Sequence, residues 1–267
     1  MRIFGRRAPT DIPTEDVPDA KRGLLRRVVR TLLPLVLIAA GVYVALNFPA
    51  LMNQAKFWLD KPKPGVAAAQ FPTVARNQAT QTTDEQKFCG HIIPYGNDGQ
   101  PKAICDNHVY IPALRIGAPI LTPKSTDDAT VNADLLRGVV RYPGTAEAGQ
   151  KGNVFLTGHS SYYWWVSTEF RNVFTLLPQV NPGDEIVIYN RGIRYTYRVT
   201  LEWEVGPNQT DVLDPTPDPV VTLSTCVPIG TSYRRHIVRA KQVSPDPSTA
   251  RPVSNSGVNA RNLPGNR

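Results

Sequence analysis

Residues 185–205 read EIVIYNRGIRYTYRVTLEWEV. Two runs rich in Ile, Val, Tyr and Thr, residue types that suit a pleated strand, flank Asn190, Arg191 and Gly192. Asn and Gly tolerate the positive φ that a tight hairpin demands, so the stretch is read as two antiparallel strands and their turn. Outward from it, short β-branched or aromatic runs recur between turn signals: HVYIP (108–112), GVVRYP (138–143), NVFLTG (153–158), VVTLST (220–225) and RHIVRAKQV (235–243). One helical pattern stands out, EFRNVFTLLPQV (169–180), and it ends near Pro178. Many short strands and few helices predict an all-β domain, a closed sheet or a sandwich, whose loops carry any site.

The chain of 267 residues is longer than this domain needs. LLPLVLIAAGVYVALNFPALM (32–52) holds no charge and matches the ~30 Å core of a bilayer at the 1.5 Å rise of a helix, so it is read as a transmembrane helix. The polar region before it is too long for a cleaved signal peptide, and no A-x-A site follows. Lys21, Arg22, Arg26, Arg27 and Arg30 precede the span while Lys56, Lys61 and Lys63 follow it, which predicts a cytoplasmic N-terminus and an extracellular domain. The expected organisation is a cytoplasmic basic arm over 1–31, the anchor over 32–52, a Pro-, Ala- and Thr-rich stalk over 53–83, a β domain over 84–243 and a disordered tail over 244–267. Much of the net charge of +8 lies in the arm, where topology and anionic lipid explain it. No interleaving of basic and aromatic residues suggests nucleic acid.

Only three cysteines occur. Cys89 and Cys105 flank a segment with Gly96-Asn97-Asp98-Gly99 at its centre, which can turn the chain back. A disulfide between them, a metal set with His91 and His108, and unpaired thiols are all open. Cys226 is left over at the end of a β-patterned run. It is read either as a small buried residue or as a nucleophile, which would need an imidazole or a cation beside it. His159 follows a strand-like run at Thr157-Gly158, whereas His236 is read as a strand residue with a packed or exposed imidazole. Arg234 and Arg235 open the last strand and could hold a developing oxyanion.

Together these elements resemble the sortases, membrane-anchored cysteine transpeptidases. The resemblance rests on VYIPALRIGAPI (109–120), GVVRYPGTAEAGQKGNVFLTGHS (138–160), the PGDEIVIY and YTYRV hairpin (182–199) and TLSTCVPIGTSYRRHIVRAKQV (222–243). It implies an eight-stranded closed β-barrel with short helices. Some branches of that family bind calcium through acidic loop residues, but no such acidic cluster stands out here, so no metal or cofactor is expected. The resemblance implies Cys226 as nucleophile, His159 as proton donor and acceptor, Arg235 as the family arginine with Arg234 as the alternative, and Thr225 as a helper in substrate binding. The implied partners are secreted proteins bearing a C-terminal LPxTG-like sorting signal, membrane lipid, and an amine acceptor on a cell-wall precursor or a pilin lysine.

The loop GHSSYYWW (158–165) is richer in aromatics than the family pattern, and its four rings are read as packing or as lining a groove. The Asp-Pro-aromatic lid and C-terminal span of the pilin-polymerising branch are not found, which leans the expectation toward anchoring. Two other readings are weighed. An L,D-transpeptidase would want a Ser-His-Gly-Cys run where Leu223, Ser224 and Thr225 stand, and a tethered adhesion domain would have no need of the three polar candidates.

Overall fold

The computed structural model describes residues 19–59, 71–72 and 86–252. Most of the basic arm, most of the stalk and the end of the tail lie outside the described residues. The chain divides into two compact units, Met1–Tyr43 and Val44–Arg267. The first holds much of α1, a helix over Asp19–Leu59 that is long and apolar enough to cross a membrane. Its Leu32, Leu35, Val36 and Ile38 stand exposed, with no protein core to receive them. The helix therefore runs seven residues beyond the predicted span. Its last turns, from Val44, belong to the second unit, where Ala50 is buried and Phe57 packs on the barrel core.

Eight strands form a closed barrel: β1 His108–Ile111, β2 Ile116–Leu121, β3 Val139–Arg141, β4 Asn153–Thr157, β5 Glu185–Asn190, β6 Ile193–Val205, β7 Val220–Val227 and β8 Arg234–Ser244. Their order around the barrel is β1-β2-β3-β4-β7-β8-β6-β5, closed by β5 against β1. The β2–β3 and β4–β7 pairs are parallel and the others antiparallel. The β5–β6 hairpin closes as its sequence predicts, with Asn190 paired to Ile193. The left-handed residues of its turn are Arg191 (φ 55°) and Gly192, so Arg191 takes the strained position that Asn190 was expected to fill.

The barrel interior is filled by Val109, Ile111, Leu156, Tyr197, Leu223 and Val238, all close to fully buried. Each such large apolar side chain removed from water contributes about 1.5–3 kcal/mol, which makes the interior the main support of the strands. On the outside, residues 86–106 cover β1 and β5, with Ile93, Ala103 and Cys105 against Tyr110, Val187 and Tyr189. Cys89 and Cys105 are joined in a disulfide with Cα atoms 5.6 Å apart, leaving Cys226 as the free thiol. The alternative of a four-residue Cys/His metal set fails, because both thiols are spent and the two histidines are engaged elsewhere. His91 Nδ1 pairs with Glu169 at 2.7 Å, and His108 is buried with Nδ1 on the Asp106 carbonyl.

Three elements differ from the sequence reading. The predicted helix over 169–180 is two separate 3-10 turns, Phe170–Asn172 and Leu177–Gln179. Between them the Phe174 amide donates to the His159 carbonyl at 2.9 Å, a tertiary bond in place of a helical one. Helix α2, Asp128–Leu135, was not predicted, although Asp127 caps it by accepting from the Thr130 amide. The tail does not loosen at residue 244. Ser244 ends β8, Pro247–Thr249 forms a turn, and the Arg251 amide donates to the Gly149 carbonyl at 3.0 Å. Residues 253–267 of the predicted disordered tail lie outside the described residues.

Candidate active site

The site is assembled by three neighbouring strands. β4 and β7 run parallel with Thr157 beside Ser224, and the ladder continues one step past the end of β4. The Gly158 amide donates to the Ser224 carbonyl at 3.2 Å, and the Thr225 hydroxyl donates to the Gly158 carbonyl at 2.9 Å. The next residue along each chain is His159 and Cys226. On the other side of β7, the antiparallel β8 sets Arg235 directly opposite Cys226. His159, distant in sequence, thus comes to the same end of the barrel as Cys226 and Arg235.

Packing fixes the histidine. Gly158 has no room for a side chain, since a Cβ there would meet the Phe174 ring at 2.7 Å and Val173 at 2.9 Å. The chain leaves β4 tightly against those two residues, and the Phe174 amide on the His159 carbonyl pins the next peptide. The His159 ring stacks at a tilt on Tyr162, with centroids 4.6 Å apart. Its Nε2 is buried and has no hydrogen-bond partner among the described residues. Burial disfavours the charged ring and pushes its pKa down to about 4, so the imidazole is neutral at pH 7.

The two arginines are separated by the pleat, because adjacent strand residues point to opposite faces. Arg234 lies opposite Val227 and is committed to Glu204, with Nε 2.9 Å from the carboxylate and Nη2 on the Glu204 carbonyl. Arg235 shares the register position of Cys226 and donates from Nη1 to the Ser232 carbonyl at 3.0 Å. Arg235 thus stands on the face of the sheet that carries Cys226. Thr225 is 1% exposed, its hydroxyl taken by Gly158. It touches the site through the backbone that carries His159, not through solvent. His236 packs on the strand with its pKa lowered chiefly by burial. Its Nε2 is 3.6 Å from Glu202, too far for a hydrogen bond.

Toward the opposite end of β4 from His159, a polar network escapes a motif reading. Thr222 on β7 donates to the Asn153 side chain at 2.7 Å, Arg239 donates to the Thr222 hydroxyl, and Asn153 donates to the Val212 carbonyl. The network locks β4, β7 and the 211–213 turn together. Asn153 at the start of a strand was the available signal, because a buried amide there must find partners. A cleft of about 750 Å³ lies elsewhere, between residues 90–91, 136–137 and 167–171. Neither Cys226, His159 nor Arg235 lines it, and register and chemistry outweigh its size as markers of the site.

A family model described as the Sortase domain matches residues 109–243. Sortase A of Bacillus anthracis is 27% identical over 172 residues, covering 60% of this chain and 76% of its own length. Among solved structures, sortase C1 of GBS pilus island 1 is 28% identical over 51% of this chain and 63% of that one, with a TM-score of 0.44. A lid mutant of sortase A from Corynebacterium diphtheriae is 31% identical over 53% of this chain and 71% of that one, with a TM-score of 0.44. The match thus spans less than two thirds of the pilus-island chain.

Proposed function

The chain belongs to the sortase family, and on that premise we propose that it is a membrane-anchored cysteine transpeptidase acting on secreted proteins with an LPxTG-like sorting signal. Cys226 Sγ attacks the carbonyl carbon of the Thr–Gly bond while the neutral His159 imidazole takes the thiol proton. The oxyanion of the tetrahedral intermediate is held by the Arg235 guanidinium. Collapse breaks the C–N bond, the leaving glycine amine takes the proton from His159, and a thioester to Cys226 remains. An incoming amine, on a cell-wall precursor or a pilin lysine, attacks that thioester, loses a proton to His159 and expels the thiol. Thr225 acts as a positioning residue, through its bond to the Gly158 carbonyl.

The observation that carries this reading is the register, with Arg235 across from Cys226 on β8 and His159 following the last β4–β7 bonds. The membrane topology of the reading sets the N-terminus in the cytoplasm and the barrel outside. The Cys89–Cys105 disulfide supports that side, since such bonds persist in oxidising compartments. The test is to incubate the full chain in detergent with an LPxTG-like peptide and a glycine-based amine. A ligated product is expected from the native chain and none from Cys226→Ala. Equal turnover by the two would remove the proposal.

A further inference from the structure

The loop after His159 carries a surface feature that the chemistry does not use. Tyr163, Trp164 and Trp165 are 58%, 56% and 58% exposed. Three adjacent large rings in water would ordinarily collapse inward, but here they are held out. Tyr163 and Trp165 stack at 4.7 Å, and Trp164 stands edge-on to Trp165 at 5.7 Å. Arg171 grips the loop from beneath, donating to the Trp164 carbonyl at 2.9 Å and to the Thr168 carbonyl at 2.8 Å, and Thr168 is tied to the Leu136 carbonyl. An exposed apolar patch of this kind marks an interaction surface, and Tyr and Trp are the residue types that favour the membrane–water boundary.

Its position identifies the partner. Ser161, at the start of the loop, accepts a hydrogen bond from the Gly230 amide at 2.8 Å. Gly230 in turn lies so close to the amide of Asn47 that a Cβ there would strike it. Asn47 is buried in the part of α1 that belongs to the barrel unit. A hydrocarbon core of ~30 Å takes about 20 residues, and the span read over 32–52 therefore includes Asn47 in its last two turns, on the part of the helix that belongs to the barrel unit. The aromatic loop begins at Ser161, one hydrogen bond from Gly230. The β7–β8 connection that bears Gly230 adds Tyr233, 72% exposed, while Arg171 lies beneath the rings. Arg171 donates only to backbone carbonyls, which leaves a guanidinium beside the rings to meet anionic headgroups.

We propose that Tyr163, Trp164 and Trp165 form an interfacial anchor that sits in the headgroup layer of the bilayer and holds the mouth of the Cys226 site at the lipid surface. This rests on the topology of the proposed function and not on its chemistry. A transpeptidase site held in that plane would meet donors and acceptors that are themselves tethered to the membrane.

The test uses the full chain in vesicles of phosphatidylglycerol and phosphatidylethanolamine, with or without lipids brominated just below the headgroups. The difference in tryptophan emission between the native chain and Trp164→Phe/Trp165→Phe isolates the two loop indoles. Flotation of the native chain with the vesicles reports the span separately. Quenching of the difference signal by roughly two-fold or more, with a shift to shorter wavelength, is the expected result for rings buried ~5–10 Å into the boundary. Flotation without such quenching overturns the anchor and leaves the span standing, and failure to float overturns both. Relief of the quenching by an added LPxTG-like peptide would assign the rings to substrate and also overturns the proposal.

Discussion

At the scale of single residues the site is a matter of which side chains share a face. Arg234 and Arg235 are adjacent and chemically identical, and no sequence argument ranks them beyond spacing. The pleat separates them, giving Arg234 to Glu204 and Arg235 to the register position of Cys226. Arg235→Ala is expected to lower kcat/KM by about 10²–10³-fold, the usual cost of removing an oxyanion donor, while Arg234→Ala changes it by less than about three-fold, as for an exposed ion pair. Steady-state kinetics on the peptide and amine pair would decide, and equal losses in both variants would count against the assignment. The placement of Cys226 and His159 at strand ends was legible because Thr-Leu-Ser-Thr-Cys and Thr-Gly-His each end a strand pattern. The buried engagement of Thr225 was not, since a hydroxyl beside a nucleophile reads the same whether it faces substrate or a carbonyl.

Among the elements, seven of the eight strands follow from β-branched and aromatic runs. The exception, β2, is written Ile-Gly-Ala-Pro-Ile-Leu (116–121), and three of its six residues disfavour strands. Tertiary packing explains them in part, because a Cβ at Gly117 would already press on Ile93 and Tyr110 at 3.0 Å. That small residue is what lets the disulfide-closed segment lie on the barrel wall. The same segment carries a prediction. Replacing both cysteines by serine (Cys89→Ser/Cys105→Ser) opens a loop with a sequence separation of 16, and stability should fall by about 3 kcal/mol in denaturant titration. The segment covers β1 and β5 and not β7, so turnover at a temperature where the variant is folded should be retained. A loss of turnover without loss of stability would mean that the segment acts on the site.

For the whole molecule, buried imidazoles contribute to the barrel's response to acid. His108 is 4% exposed, and burial lowers its pKa from 6.5 to about 4, against the raising effects of the Asp106 carbonyl and carboxylate. Between those two values the unfolded chain binds a proton that the native chain refuses, so stability is full above about pH 6.5 and declines as the pH falls toward 4. The ceiling from this group is about 3 kcal/mol. Thermal unfolding should show a shallower acid slope for His108→Gln than for the native chain, and identical slopes would place the acid sensitivity elsewhere. The barrel's closure and strand order could not be read from local pattern, because they depend on pairings between distant segments such as β4 with β7.

The account as a whole depends on Cys226 forming a covalent acyl bond at the convergence of β4, β7 and β8. Intact-mass and fragment analysis of the full chain quenched in acid during turnover of an LPxTG-like peptide tests this most directly. The predicted result is the mass of the peptide's acyl portion on the fragment bearing Cys226, released by hydroxylamine and missing from Cys226→Ser. Product formed with the acyl group on another residue, or with Cys226 free of it throughout, would contradict the account.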